Sequence, residues 1–299
     1  DLLDAVLYAP DNTPGNKTLF SKSVARTLLA KIYAEKPLRD YTKVIQYCDE
    51  VKADGFDLVD DFSDLFGMNA AGTDAKMRNT KESILEAQFT SGAGNWCTWM
   101  FGRDLVNWNN NFTWAKWVTP SRDLISAFKQ EGDEVRFKES IVYYDCNWSN
   151  YYPSDNYPFM YKCRSANSSI IKYRYADVLL LKAEALIMQD TPDLEGAADI
   201  IDKVRDRAKL GALPTSVRSN KNVLLNALLK ERRLELAFEG QRWFDLVRLD
   251  KVEEVMNAVY SKDSGRKAQI YTFDKNSYRL PIPQSVIDAN DKIHQNPGY

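Results

Sequence analysis

The sequence predicts a mainly α fold in which paired helices frame a long, irregular, loop-rich region with minor β structure. Three observations carry this. Apolar residues recur at helical spacing over 22–36, 41–54, 174–189, 194–210 and 221–239. Two stretches, 91–120 and 143–170, break that spacing and are rich in aromatics, Asn, Ser and Gly. Five of the seven tryptophans, Trp96, Trp99, Trp108, Trp114 and Trp117, crowd into the first of them.

The elements follow in chain order. In 22–36 the inward stripe is Val24, Leu28, Leu29, Ile32 and Tyr33, with Ser21 or Ser23 as cap and Pro37 as stop. Asp40 can cap a helix over 41–54 that buries Val44, Ile45, Cys48 and Val51 and ends at Gly55. The same grammar returns in 174–189, which stops at Asp190-Thr191-Pro192, and in 194–210, capped by Asp193 and closed by Gly211. Ala183, Ala185, Ala197 and Ala198 permit close helix approach. Each two-helix unit resembles a tetratricopeptide-type pair, but two units about 150 residues apart make no continuous array. A helix over 221–239 follows Ser219 or Asn220 and ends at Gly240, and a shorter one covers 241–249. Ile84 to Phe89 reads as a strand. Tyr278 to Pro283 reads as extended, since each proline disfavours helix before it.

Long irregular stretches inside a compact domain usually carry function. Gly92, Gly94, Gly102 and the run Asn109-Asn110-Asn111 favour turns, so several indoles are expected to line a concave surface rather than a core. An indole is a flat apolar platform with one polar handle, suited to the C–H face of a sugar. The expected ligand-binding residues are Trp96, Trp99, Trp108 and Asn109, with Trp148, Tyr151 and Tyr152 as an opposite wall. Trp114 and Trp117 are read as packing under the next helix.

Composition bounds the function. The chain has 299 residues, 40 Lys+Arg and 42 Asp+Glu, for a net charge of −2. That leaves no basic footprint for nucleic acid. No apolar run is long enough to span a membrane. The four cysteines show no zinc spacing. Cys146 and Cys163 flank an aromatic loop and are candidates for a disulfide whose formation the sequence leaves open. His294 is the only histidine, far from any Ser or Cys motif. Asp57, Asp60, Asp61 and Asp64 lack calcium-loop spacing and are read as turn and cap residues. No metal or cofactor is expected.

Three stretches match a known family. They are Tyr173-Arg174-Tyr175-Ala176-Asp177-Val178-Leu179-Leu180-Leu181-Lys182-Ala183-Glu184-Ala185, the charged run from Glu231-Arg232-Arg233-Leu234-Glu235 through Gly240-Gln241-Arg242-Trp243-Phe244-Asp245 to Arg248, and the tail Leu280-Pro281-Ile282-Pro283-Gln284 with Gln295-Asn296-Pro297-Gly298-Tyr299. Together they resemble the SusD/RagB family of Bacteroidetes. The resemblance implies one SusD-like domain over 1–299: a helical scaffold at 20–56 and 172–250, a loop-rich ligand-binding region at 84–170, and an extended tail at 276–299. It also implies a cell-surface lipoprotein of the outer membrane that binds glycan without catalysis and hands it to a SusC-like, TonB-dependent transporter, or binds peptides in the RagB branch. A glycoside hydrolase is the remaining rival. The family's lipidated cysteine and N-terminal portion have no counterpart in this sequence, so the expectation is of a C-terminal part, with the lipid anchor on the portion not present.

The charged run from Glu231 to Arg248 reads as an internal ion network rather than a site. Arg232 lies near the stripe of Leu225, Leu228, Leu229 and Leu236 and needs partners, for which Glu231, Glu235, Glu239 and Asp245 are candidates. Trp243 and Phe244 are read as core.

Overall fold

A computed structural model describes residues 1–90, 94–95, 118–146, 150–262 and 272–299. Within these, helices dominate. α1 (Leu2–Tyr8) and α2 (Lys22–Ala34) lead into α3 (Tyr41–Ala53) and a single turn, α4 (Ser63–Phe66). Strand β1 (Ser83–Ala87) precedes α5 (Arg122–Glu131), α6 (Glu134–Ser140), β2 (Ile141–Tyr144), β3 (Tyr157–Met160) and β4 (Ile170–Arg174). The scaffold closes with α7 (Tyr175–Met188), α8 (Leu194–Arg207), α9 (Thr215–Arg218), α10 (Lys221–Glu235), α11 (Arg242–Arg248), α12 (Val252–Lys262) and α13 (Gln284–Ala289).

The helix starts follow the local chemistry. Ser21, rather than Ser23, accepts from the Val24 amide, and Asp40 accepts from the Lys43 amide at 3.1 Å. Asp193 and Asn220 cap α8 and α10 in the same way. Each satisfies a first-turn N–H that has no partner inside the helix. Asp40→Ala is therefore expected to cost about 1 kcal/mol, read as a lowered urea midpoint with unchanged slope.

The helix pairs α2–α3 and α7–α8, remote in sequence, pack side by side, with α3 against α7. Their shared core includes Val24, Val44, Val51, Leu180, Ile187, Ile201 and, from α10, Leu228. Ala183, Ala185, Ala197 and Ala198 are fully buried, which lets the helix axes come close. α7 is apolar almost all round because neighbours cover it on nearly every side.

Some expectations are corrected. α10 stops at Glu235, five residues before Gly240. Phe238 takes φ 66°, and the Glu235 carbonyl accepts from the side chains of Arg174 and Lys162 instead of a following helical amide. α8 ends at Arg207 with Lys209 at φ 61°, ahead of Gly211. The tail is extended only from about Arg279 to Pro283. It is flanked by a 3-10 turn at Lys275–Tyr278 and by α13, since a proline before a helix is tolerated where it cannot be inside one. Cys146 and Cys163 are not bridged to each other, and the Cys163 thiol donates to Asn95 Oδ1 at 3.4 Å.

Two small antiparallel sheets sit beside the helices. β1 pairs with β4, with Ser83 opposite Arg174 and Ala87 opposite Ile170. β2 pairs with β3, with Ile141 opposite Met160 and Tyr144 opposite Tyr157.

Candidate ligand-binding surface

The frame around the candidate surface is held by buried charge. Glu235, at the last turn of α10, accepts from Arg136 (3.0 Å), Arg174 and Arg207. Arg174 also reaches Glu239 (2.7 Å) and Glu82 (2.7 Å), and Arg136 reaches Asp133 and Glu231, both at 2.5 Å. Lys162 Nζ donates to the Glu235 carbonyl at 2.8 Å and to Glu239 at 2.6 Å. These side chains come from α6, α8, α10, β4 and the segments before β1 and after β3, so the network ties the strands to the scaffold. Burial pushes the Glu235 carboxyl up, but Arg207, Arg174 and Arg136 more than reverse this and hold it well below the usual range. Burial, helped by the nearby Arg174 and opposed by Glu239 and Glu235, pulls the Lys162 ammonium down to about 8.

A second set joins α10, α7 and α11. Arg232 binds Asp177 at 2.7 Å and Asp245 at 2.8 Å, while Arg248 grips both oxygens of Glu184 at 2.7 and 2.8 Å. The charged run from Glu231 to Arg248 is thus an internal network, as its spacing suggested. Of the expected partners of Arg232, only Asp245 serves. Asp177 is the other, and the glutamates serve Arg136, Arg174 and Arg207.

Asp61 accepts from the Ser63 amide and hydroxyl and from Lys76, which also binds Asp64. Asp57 accepts from the Leu58 amide and Lys203, and Asp60 pairs with Lys81. This acidic group makes turns and surface pairs.

Above the frame lies an aromatic patch on the β2–β3 hairpin. Alternation along β3 and the loop before it brings rings together: Tyr151 lies 5.1 Å from Tyr152 in an edge-on pair, Tyr152 is 5.6 Å from Tyr157, and Tyr157 is 5.2 Å from Phe159. The Arg122 guanidinium sits 4.6 Å from the Tyr151 ring and 4.1 Å from the Tyr152 ring, and donates to the Tyr151 carbonyl. Such stacking fixes ring orientation. The Tyr152 hydroxyl donates to the Pro120 carbonyl at 2.7 Å. Tyr151 and Tyr152 are each half-buried, so part of each ring meets solvent.

Of the expected site residues, Tyr151 and Tyr152 therefore stand together in a pre-ordered patch. Trp96, Trp99, Trp108, Asn109 and Trp148 lie outside the described residues, as do Trp114 and Trp117.

A second feature was not anticipated. An open groove of about 760 Å³ runs between α2, β4 and the segment that joins α10 to α11. Its walls include Leu28, Ile32, Met160, Phe238 and Phe244, and its floor includes Lys162 and Glu239. The reading of Phe244 as core is overturned: it is 60 % exposed. Phe244 lies one turn before Arg248 on α11, on a side that opens onto the groove. Its neighbour Trp243 is half-buried, with its ring 6.4 Å from that of Phe273. Sequence periodicity shows which face of a helix is apolar; it does not show whether anything covers that face.

The SusD family model matches residues 154–299, which contain all three sequence stretches singled out above. SusD-like protein P38 of Formosa agariphila is 43% identical over 99 residues, a stretch covering 31% of this chain and only 19% of that protein. A laminarin-binding SusD-like protein shares the fold over 100% of this chain and 67% of its own, with TM-score 0.70 and 24% identity. Surface glycan-binding protein A from Bacteroides thetaiotaomicron, solved with laminarihexaose, does so over 99% of this chain and 68% of its own, with TM-score 0.73 and 19% identity. The chain thus spans about two-thirds of these solved structures. Residues 154–299 are thus similar in sequence to the SusD family, and the chain over its whole length shares the fold of solved SusD-like proteins.

Proposed function

We propose that this chain binds oligo- or polysaccharide without catalysis, at the outer surface of the cell, and delivers it to a TonB-dependent outer-membrane transporter. The observation that carries the reading is the ordered aromatic patch: Tyr151 and Tyr152, braced by Arg122, belong to the second of two stretches that together hold six of the seven tryptophans. Laminarin and laminarihexaose, the ligands of the two solved relatives, support carbohydrate as the ligand class. Rings would stack on sugar faces, and Asn side chains such as Asn109 would satisfy hydroxyls. Each polar contact would select chiefly because a mismatched sugar leaves it unpaired. A patch already ordered keeps the entropic cost of binding low.

The test is calorimetric titration with glycans chosen from an array, run beside peptide libraries. Trp96→Ala and Trp99→Ala are each expected to weaken glycan binding by about 1–3 kcal/mol with an unchanged unfolding midpoint. Unchanged affinity in both variants would move the site elsewhere. Binding of peptides alone would replace the ligand class. Incubation with polysaccharide is expected to release no reducing ends. Co-purification with a transporter from the outer membrane tests the delivery step.

A further inference from the structure

The groove beside β4 has an edge, not just walls. It touches four successive residues of that strand, Ile170, Ile171, Lys172 and Tyr173, and none of β1. Side chains alternate across a sheet, and here Tyr173 packs inward while Lys172 is exposed. A space that meets residues of both faces in succession must approach the strand edge-on, on the side away from β1. Among the described residues, the backbone of 170–173 makes no hydrogen bond outside its pairing with β1. Half of the backbone groups of a two-stranded edge point outward, and here they point into an apolar cleft.

We propose that the groove is a peptide-binding site in which an extended segment adds to the free edge of β4 as a third strand. Only another polypeptide backbone repeats donors and acceptors at strand spacing, so neither a sugar nor a lipid matches this edge. Leu28, Ile32, Phe238 and Phe244 would receive the apolar side chains that project from such a strand. Charge narrows the partner further. The buried cations Lys162 and Arg248 on the lining are matched by Glu239 and Glu184. Lys31 is held by Asp177 and Gln241. Lys172 is exposed and makes no ion pair among the described residues, so it favours an acidic residue opposite. The preferred occupant is an extended peptide that alternates apolar residues and carries one carboxylate. This site is separate from the aromatic patch and independent of the glycan reading.

The probe is a fluorescein-labelled, end-blocked octapeptide alternating valine with threonine and bearing one central glutamate, titrated by anisotropy against the whole chain. Two N-methylated forms, each blocked along one edge of the peptide, accompany it. Strand addition uses one peptide edge, so one form is expected to bind about tenfold more weakly or worse while the other matches the parent. Phe244→Asp, at an exposed position, is expected to weaken binding about tenfold while leaving glycan affinity unchanged. Lys172→Glu should reverse the preference, favouring a lysine-bearing peptide. The proposal is overturned if the parent peptide shows no saturable binding, if both N-methylated forms bind like the parent, or if laminarihexaose displaces it. It is also overturned if the chain dimerises through this face and Phe244→Asp abolishes the dimer, which would make a second copy the occupant.

Discussion

Replacing Glu235 by alanine is expected to cost about 3–5 kcal/mol of folding stability, the range for removing one partner of a buried ion pair. Glu235 is fully buried and accepts from three guanidiniums, those of Arg136, Arg174 and Arg207. Its removal leaves three cations in one dry region with fewer anions, and a cavity besides. The cost is dominated by charges left uncompensated rather than by the attraction lost. Glu235→Gln keeps the shape and one acceptor but not the charge, and should fall between alanine and the native residue. Asp57→Ala, which breaks a pair with Lys203 at a half-exposed site, should stay within about 0.5 kcal/mol. Urea unfolding followed by far-UV circular dichroism separates the three. A Glu235→Ala variant as stable as the native chain would mean that the network does not hold the strands to the scaffold.

Acid should unfold the protein cooperatively below about pH 4, for the same structural reason. Burial pushes the carboxyls of Glu235, Glu239, Asp177 and Asp245 up, but neighbouring cations more than reverse this, and all four sit below their ordinary values when folded. As pH falls, the unfolded chain takes up protons first. The stability these groups contribute is therefore complete above their unfolded pKa values and is lost as pH drops toward the lower folded ones. Asp133 and Glu231 act with the opposite sign: burial raises them, so the folded state takes their protons first. They are two against four, and protonating the four also leaves arginines without counter-ions. The urea midpoint is expected to be flat from about pH 5 to 7 and to fall steeply below about 4. A midpoint that held or rose on acidification would show that these carboxylates are not paired as described.

Much of the scaffold was legible in the sequence because its causes are local. Ser21, Asp40, Asp193 and Asn220 cap helices through bonds to amides two or three residues away. The small residues of α7 and α8 sit where those helices touch. Helix ends were less legible where a distant residue intervenes: α10 stops early because Arg174 and Lys162, some 60–75 residues away in the chain, claim the Glu235 carbonyl. Tyr151 and Tyr152 could be picked out as a polar aromatic loop, but their bracing by Arg122 and Pro120 could not, since those contacts cross about 30 residues.

The sequence by itself determined the helical frame, the internal role of the Glu231–Arg248 run and the aromatic character of the loops. Each follows from short-range periodicity, capping or composition. Only the tertiary structure decided which carboxylate serves which arginine, that the two helix pairs lie side by side, and that Phe244 and the outer edge of β4 face an open groove. Those outcomes depend on which surfaces meet across the chain, and residue spacing carries no information about whether a face, once formed, is covered.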